Sequence, residues 1–362
     1  MKIEQLHIHR FRRIRDLTIA FGDTLDGNLQ DRFLILGDNG SGKTTVLQAV
    51  ALCLARAMGV IRSISDFHWI GFQPGRYFSG GEPHIEVTVR LSADEITATR
   101  EVAEMWNRTR DVMAPSSFVP PGDAQRVTIT LRGEECTAES AAALFQLHGR
   151  AYARQLLKTN PAMRDYFSKL PGVFWFDQFR NIALRNVMPE EEGKSQRVTY
   201  DLGVERLRET LSGWMLAQVS NGKSYRYDYL AILADMYAQV FPGRKFVGVE
   251  PMPGTEGYPS PSEMYFLLSD GENKYDITEM SGGEQAVFPI LVEVVRQRIA
   301  HSVVLIDEID MHLHAPAAQL LVKKLPTISP TSQFLFSTHA SSVAAVMSEQ
   351  ATLRLPGGTL CL

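Results

Sequence analysis

The residues most clearly suited to binding or catalysis lie at 33–57, FLILGDNGSGKTTVLQAVALCLARA. There a glycine-rich loop separates an apolar run from a helical pattern. The loop has the spacing G-x-x-x-x-G-K-T. Its glycines let backbone N–H groups wrap a polyphosphate, and the N-terminus of the following helix adds partial positive charge. The residues of this predicted phosphate-binding loop are Gly37, Asp38, Asn39, Gly40, Ser41, Gly42, Lys43 and Thr44. We expect Lys43 to neutralise the β- and γ-phosphates and the Thr44 hydroxyl to ligate Mg²⁺.

A second motif is the acidic pair in HSVVLIDEIDMHLHAP, residues 301–316. The short apolar run before it is typical of a strand buried on both faces. Two acids at the end of such a strand are costly unless they meet a cation. We therefore expect Asp307 to hold Mg²⁺, directly or through water, and Glu308 to activate the attacking water as a general base. The alternative is an acidic loop after a core strand.

A third motif is QFLFSTHASSV, in which an apolar run from Gln333 ends at His339. A helical stretch, APAAQLLVKKL, separates it from the acidic strand, so the two strands fit a βαβ unit. Both strand ends then face one ligand crevice, where His339 is expected to contact the γ-phosphate. A lone histidine is otherwise more often structural.

The tetrapeptide SGGE occurs twice, and the first copy has a simple explanation. Residues 79–82 are followed by Pro83 and by HIEVTVRL, which alternates as a strand does. This leaves no helix for Ser79 to start. The first copy is therefore predicted to be a turn without a catalytic role.

The second copy, residues 281–284, precedes a helical sequence, EQAVFPILVEVVRQRIA. A capping box would explain Ser281 and Glu284. It would not explain Gly282 and Gly283, since each glycine in a helical turn costs up to about 1 kcal/mol against alanine. Together these residues indicate an anion site accessible to a bulky group. Because the chain's phosphate loop already has its lysine and metal, the second copy is predicted to face the nucleotide of another copy of the chain.

Net charge limits the classes of partner. The 362 residues include 37 basic and 41 acidic ones, giving −4 overall, so the chain lacks the global basic field of a dedicated nucleic-acid binder. The stretch HIHRFRRIRDL concentrates arginines at positions 10, 12, 13 and 15. It is either a solvated edge strand or a local basic patch.

Cysteine usage and hydropathy indicate the compartment. Cys53, Cys136 and Cys361 are widely spaced and form no metal-binding pattern, which fits a reducing environment. The most apolar stretch, VLQAVALCLARAMGVI, is too short to span a bilayer, and the N-terminus does not resemble a signal peptide. We expect a cytoplasmic protein with no membrane partner.

Taken in order, GDNGSGKTT, MSGGEQ, VVLIDE and STHA resemble the motifs of ABC-type ATPases. Within these, the chain looks most like the RecF/SMC-like and OLD-like branch of stand-alone bacterial AAA/ATP-binding proteins. Its opening MKIEQLHIHRFRRIRDLTIAF and the phrase IDEIDMHLHAP are similar to that branch, whereas residues 100–170 are unmatched. The resemblance implies an α/β fold, a P-loop NTPase of ABC-ATPase head type with a mixed sheet core, an antiparallel β subdomain and a helical lobe.

The resemblance also implies the ligands and the assembly. ATP with Mg²⁺ would lie between two heads of a homodimer, held by one chain's phosphate loop and by Ser281, Gly282 and Gly283 of the other chain. Thr45 would join Lys43 and Thr44 in binding phosphates and metal. The family's Q-loop glutamine, a contact to metal and water, would be Gln178, at the end of the strand-like VFWF.

Two departures from the family pattern affect the expected dimer interface. The usual aspartate of the D-loop aligns with His314. His312 and His314 form an H-x-H pair that could bind a metal, but the resemblance favours an interface loop. Pro289 falls inside the signature helix and is expected to kink or shorten it.

Two lobes are expected, without the long coiled coil of SMC proteins, because no sustained heptads are present. Lobe I, for ATP, is predicted to hold residues 1–180 and 300–362, and lobe II, with the signature, residues 181–300. The predicted elements outside the motifs are strands at 84–91 and 127–132 and helices near 200–219 and 225–240.

The function expected from these features is an ATP-hydrolysing switch that dimerises on ATP and acts on a partner protein or DNA. DNA repair and anti-phage defence are candidate settings. One alternative is a RecF-like clamp that binds DNA under the control of ATP. Another is an ATP-sensing scaffold that restrains an effector with little turnover. A transporter motor is disfavoured because no membrane-coupling segment is recognisable.

Overall fold

A computed structural model describes most of the chain, which divides into two compact units. The described residues are 1–22, 28–109, 118–178, 200–220, 228–255, 257 and 259–356. The first unit comprises Met1–Gln178, Gln297–Asp310 and Ala318–Leu362, and the second Phe179–Arg296 and Met311–Ala317. Residues 311–317, which the sequence placed in the first lobe, thus belong to the second unit.

A parallel sheet forms the centre of the first unit. Its strands are β3 (Arg32–Leu36), β7 (Gly172–Phe176), β11 (Ser302–Ile306), β12 (Gln333–Thr338) and β13 (Thr352–Arg354). They lie in the order β13-β3-β12-β11-β7, and each neighbouring pair is parallel. The continuous apolar runs of the motifs form these strands because both faces of the sheet are covered. The four strands predicted next to the motifs are confirmed.

An antiparallel sheet forms the other layer of the first unit. Its strands are β1 (Lys2–Phe11), β2 (Ile14–Ala20), β4 (His84–Arg90), β5 (Arg126–Arg132) and β6 (Glu135–Ala138), in the order β2-β1-β4-β5-β6. The strands predicted near 84–91 and 127–132 are confirmed. The basic stretch is not a single edge strand, since it spans β1, an inner strand, and the start of β2, the edge.

Helix α1 (Lys43–Ala57) contacts strands of both sheets. Its side chains from Val46 to Ala55 are buried, all of them apolar except Gln48, so the helix is covered on all sides. Burial of this kind fixes the helix axis through packing rather than helix propensity. The phosphate loop, which leads into α1, is thereby held at the carboxyl ends of the parallel strands.

Residues that none of the quoted motifs cover complete the first unit. They include the helices α2 (Ala93–Thr109), α3 (Ala141–Phe145) and α4 (Gly149–Leu157). α2 and α4 pack on each other around a small core that includes Val102, Tyr152 and Phe167. Two further helices flank the third motif, α8 (Ala315–Ile328) and α9 (Ser341–Ala344), and α8 is the predicted connection between the acidic strand and β12.

The second unit combines three helices with a small antiparallel sheet. The helices are α5 (Tyr200–Ser220), α6 (Tyr229–Val240) and α7 (Gly282–Arg296), and the strands are β8 (Lys245–Pro251), β9 (Met264–Ser269) and β10 (Lys274–Asp276). Both predicted helices are confirmed, although residues 225–227 of the second lie outside the described residues. α7 continues through Pro289 to Arg296, so of the two expected effects, kinking or shortening, the proline does not end the helix. The neighbours Phe288 and Ile290 are buried, and this packing offsets the lost backbone hydrogen bond.

Neither cysteine in the described part of the chain forms a disulfide. Cys53 is buried in α1 and Cys136 is half-buried in β6, while Cys361 lies outside the described residues. Burial raises the pKa of the Cys53 thiol, which keeps it protonated. Within the same described ranges, no helix combines the length and the apolar character needed to cross a bilayer.

A buried arginine joins the segments that lead into β7 and β11. The Arg150 guanidinium donates to the carbonyl oxygens of Phe167 at 2.7 Å, Leu170 at 3.2 Å, Gln297 at 3.0 Å and Arg298 at 3.2 Å. Four carbonyls, two of them in buried contacts and two in part-buried ones, therefore accept from one side chain. Because β7 and β11 carry candidate site residues at their far ends, Arg150 helps to set the positions of both strands.

We predict that Arg150→Met lowers the free energy of unfolding by about 3 kcal/mol or more, because buried and part-buried carbonyls lose their donor. Chemical denaturation followed by circular dichroism measures this. Arg108→Met is the control, since Arg108 is exposed and forms only a 3.8 Å ion pair with Glu104. Equal effects of the two substitutions would contradict the role given to Arg150.

Candidate functional site

The glycine-rich loop between β3 and α1 adopts a backbone that only glycine tolerates easily. Gly40 and Gly42 have φ of 81° and 106°, in the left-handed region. Within the described part of the chain, Gly42 provides no side-chain cap for α1, and the first turn of the helix has no acidic residue. The N–H groups at the helix start are thus left for an anion.

Lys43 bends back over the loop that precedes it. Its ammonium group is 3.0 Å from the carbonyl oxygen of Gly37, 3.3 Å from that of Asp38 and 3.3 Å from Oε1 of Glu308. The side chain is only 4% exposed. A buried lysine held among oxygens at the base of an anion-binding loop is placed to neutralise a phosphate.

The Thr44 hydroxyl connects the loop to the acidic strand. It is 3.0 Å and 2.9 Å from the two carboxylate oxygens of Asp307, and Ser337 at the end of β12 also donates to Asp307. Asp307 is 1% exposed, and this burial raises the pKa of its carboxyl group despite both hydrogen bonds. The environment therefore favours an additional positive charge beside Asp307.

Glu308 lies between the lysine and the histidine of the third motif. His339 Nδ1 is 3.0 Å from Glu308 Oε2, while Lys43 faces the other carboxylate oxygen. The Glu308 N–H donates to the Ser337 hydroxyl at 2.8 Å, and its backbone has φ of 45°. A left-handed conformation at glutamate is uncommon, and here it turns the carboxylate toward the loop.

A cavity of about 630 Å³ opens beside these groups. The predicted residues that line it are Asn39, Gly40, Gly42, Lys43, Thr44, Thr45, Gln178 and Glu308. Gln178 follows β7. The three neighbouring parallel strands β7, β11 and β12 therefore place polar side chains at their carboxyl ends, on the same side of the sheet. The volume is within the usual range for sites that enclose a small molecule.

The rest of the cavity wall was not predicted from the sequence. Arg12, in the turn between β1 and β2, donates to Gln48 of α1 and to the carbonyl of Gly71 at 2.8 Å. Arg13 and Arg76 line the same cavity. Burial, with Arg13 and Arg76 nearby, lowers the pKa of the Arg12 guanidinium. Arg12 and Arg13 of the basic stretch therefore line the cavity, whereas Arg10 and Arg15 are exposed outside its lining.

The residues present fit a nucleoside triphosphate with a divalent cation. Among the described residues, the buried Ser41 hydroxyl in the loop has no hydrogen-bond partner, as expected of a group reserved for a ligand. The hydroxyl of Thr44 and the carboxylate of Asp307 are the oxygen ligands that Mg²⁺ prefers. The cation would supply charge neutralisation between the β- and γ-phosphates.

The second SGGE copy lies in the second unit, where the contacts of the capping box, the alternative explanation of Ser281 and Glu284, are present. The Ser281 N–H and hydroxyl donate to Glu284 Oε2 at 2.9 Å and 2.7 Å, and the Glu284 N–H is 3.4 Å from the Ser281 hydroxyl oxygen. The first copy is a turn before β4, as predicted, but Ser79 lines the cavity of the first unit.

The two signature glycines have different surroundings. A Cβ on Gly283 would lie 3.3 Å from Leu313 Cδ2, whereas on Gly282 it would be 3.8 Å from the Cβ of His312. Packing within the unit therefore accounts for Gly283, while Gly282 has more space. In the described ranges no three side chains of the metal-binding types come together, so the His312 and His314 pair has no third ligand there.

Two residues that hydrogen-bond to the acidic motif were not predicted, although both lie inside a quoted motif. Ser337 donates to Asp307 and accepts from Glu308, and Thr338 donates to Asp310. The available signal was positional, since Ser337 and Thr338 end β12 beside the acidic strand. Which residues pair across two strands depends on register, which the motifs do not specify.

Comparison with known proteins gives three results. The family model described as RecF/RecN/SMC N terminal domain matches residues 2–357. A curated relative, the "Retron Vc95 probable ATPase" of Vibrio cholerae serotype O1 biovar El Tor, is 33% identical over 90 residues, covering 22% of this chain and 18% of the relative. The aligned part is thus less than a fifth of that relative's length. A solved SMC head, bound to the C-winged helix domain of ScpA, has a TM-score of 0.50 and 17% identity, with 96% of this chain and 92% of that chain covered.

The solved SMC head is similar in fold. The sheets and helices of this chain agree with the α/β P-loop NTPase fold expected from the motifs. The family match includes the phosphate loop, both strands that face it and the signature helix. Since the match extends over nearly the whole chain, this protein belongs to the RecF/RecN/SMC N-terminal domain family of ABC-type ATPase heads.

Proposed function

We propose that the chain binds ATP with Mg²⁺ in the cavity of the first unit and hydrolyses it. The observation that carries this proposal is the contact of the Thr44 hydroxyl with both Asp307 oxygens, at 3.0 and 2.9 Å. It joins the end of the phosphate loop to the end of the acidic strand at the point where a metal between the two would sit. The match to a probable ATPase supports the same activity.

Each residue of the site has a proposed task. Lys43 exchanges its contacts with loop carbonyls for the β- and γ-phosphates, and Thr44 and Asp307 hold the metal. Glu308 accepts a proton from the attacking water, and His339, 3.0 Å from it, contacts the γ-phosphate. Gln178, on the cavity wall, contacts metal and water.

The remaining loop residues and the other cavity residues would bind the rest of the nucleotide. Thr45, with the backbone of residues 37–42, would hold the α- and β-phosphates, as helix N-termini do. The nucleoside would then extend toward Arg12 and Arg13, which also line the cavity. Arg12 and Arg13 are thus assigned to the nucleotide more readily than to DNA.

The active assembly in this proposal is a homodimer formed on ATP. Ser281, Gly282 and Gly283 of one copy would contact the γ-phosphate held by the phosphate loop of the other. Hydrolysis would separate the heads, so the dimer acts as a switch for a partner protein or for DNA.

In one version of this proposal the partner is an effector protein in a defence setting. A scaffold that restrains such an effector with little turnover would co-purify with it whether or not ATP is hydrolysed. A RecF-like clamp in DNA repair would instead bind DNA in an ATP-dependent manner, with affinity falling steeply as salt rises.

Thr44→Val tests the metal contact, because valine preserves the shape of threonine and removes the hydroxyl. We expect binding of MgATP, measured by calorimetry, to weaken about 10-fold or more, and binding of ATP in EDTA to stay within about twofold. Thr130→Val, in β5, is the matched control. Equal loss with and without metal would assign Thr44 to another task.

Glu308→Gln tests hydrolysis and pairing together. Removing a general base should reduce turnover about 100-fold or more while ATP stays bound. The variant should reach twice the monomer mass in analytical ultracentrifugation only when MgATP is present. Glu349→Gln, at an exposed site, is the control. A mass that stays unchanged with MgATP would reject the homodimer.

Ser281→Arg tests whether the signature acts on a second copy. In the Glu308→Gln background, the arginine should abolish pairing by occupying the anion site, while the affinity for ATP of the separate head is unchanged. Ser262→Arg, also exposed and in the second unit, should pair normally. Loss of ATP binding in Ser281→Arg would show that the signature contacts its own chain's nucleotide.

A further inference from the structure

Three segments of the second unit converge on the carboxylate of Glu284. The Tyr237 hydroxyl, in α6, and the Tyr275 hydroxyl, in β10, both donate to Oε1, the latter at 2.7 Å. Arg244, just before β8, places its Nε 3.6 Å from the same oxygen and also pairs with Asp270 at 3.3 Å. Glu284 is 2% exposed, so these contacts replace its hydration. One carboxylate oxygen is therefore fixed by the interior of the unit.

Among the described residues, the hydrogen bonds to the other carboxylate oxygen come from Ser281. Oε2 accepts the Ser281 N–H at 2.9 Å and the Ser281 hydroxyl at 2.7 Å. A simple capping box requires only the N–H contact and the reverse contact from the helix. The additional hydroxyl contact, and the buried anchor behind Oε1, go beyond what capping α7 requires.

The surroundings keep Glu284 ionised. Burial alone would raise its pKa, but hydrogen bonds from Tyr237, Tyr275 and Ser281 hold the pKa of this carboxyl below its usual value. The two tyrosines respond in the opposite direction, and burial next to Glu284 raises the pKa of Tyr275 to about 12. The tyrosines therefore remain donors and Glu284 remains an acceptor at neutral pH.

A serine hydroxyl has one proton to donate. While Ser281 gives it to Glu284, it cannot give it to a phosphate oxygen, which is itself only an acceptor. Contact with a γ-phosphate as a donor thus requires the hydroxyl to turn away from Glu284. The anchored carboxylate meanwhile keeps its contact with the Ser281 N–H, so the backbone of the signature stays in place.

We propose that Glu284, anchored by Tyr237, Tyr275 and Arg244, is a positioning residue that holds the Ser281 hydroxyl in the separate head and releases it to the partner's γ-phosphate on pairing. This rests on the proposed ATP-dependent homodimer. By keeping Oε2 on the Ser281 N–H, the anchor holds the Ser281 hydroxyl within reach of the partner's γ-phosphate. Weakening the anchor should therefore weaken pairing without changing ATP binding by the separate head.

The test uses Tyr237→Phe with Tyr275→Phe in the Glu308→Gln chain, which retains ATP. We expect the dimer dissociation constant in MgATP, from sedimentation equilibrium, to rise about 10-fold or more, and the ATP affinity of the monomer to stay within about twofold. Tyr265→Phe, in β9 of the same unit, is the matched control, because it also removes one tyrosine hydroxyl. The Tyr265 ring packs against Arg208, whose Cζ is 5.9 Å from the ring centroid. Tyr275→Phe alone, at a half-buried site, serves if the double variant is unstable.

A double-mutant cycle separates positioning from a general effect on folding. In a Ser281→Ala background the tyrosine substitutions should change the dimer dissociation constant by less than about twofold, because the hydroxyl that they act on is absent. An equal effect in both backgrounds would overturn the proposal, as would normal pairing of the tyrosine variant. Failure of the parent Glu308→Gln chain to pair would instead reject the homodimer itself.

Discussion

The contact between Thr44 and Asp307 is the constraint on which the arrangement of the first unit depends. It joins residues 263 positions apart, one at the start of α1 and the other at the end of β11. A carboxylate that is 1% exposed is unfavourable without such partners. The fold must therefore bring the helix start and the strand end to within hydrogen-bonding distance, and α1 meets this requirement by packing against strands of both sheets.

Strand register determines the rest of the site. β11 and β12 are parallel, with Ile306 opposite Phe336, so the residues that follow each strand emerge side by side. Ser337 can therefore contact both acids at once, donating to Asp307 and accepting from Glu308. A shift of one residue would exchange the faces of every side chain in β12 and remove both contacts. The packing of the apolar residues in the two strands thus determines where the polar residues at the strand ends lie.

The sequence predicts those parts of the molecule that local constraints determine. A phosphate loop needs glycine at defined backbone positions, and Gly40 and Gly42 indeed have left-handed φ values. Contacts that depend on tertiary packing were not predictable, and Arg12 against Gln48 is an example. Pro289 shows the same limit, since burial of its neighbours maintains a helix that proline disfavours.

Carboxylates at the proposed anion sites of the two units are stabilised in the same way. Asp307 and Glu308 in the first unit and Glu284 in the second are each held by donors from their own unit. Such pairing removes much of the repulsion that a free carboxylate would exert on a phosphate. Because a ligand then exchanges existing hydrogen bonds for new ones, the net gain from each side chain is small. Affinity for a phosphate must come mainly from the uncapped N–H groups at the start of α1, from Lys43 and from a bound cation.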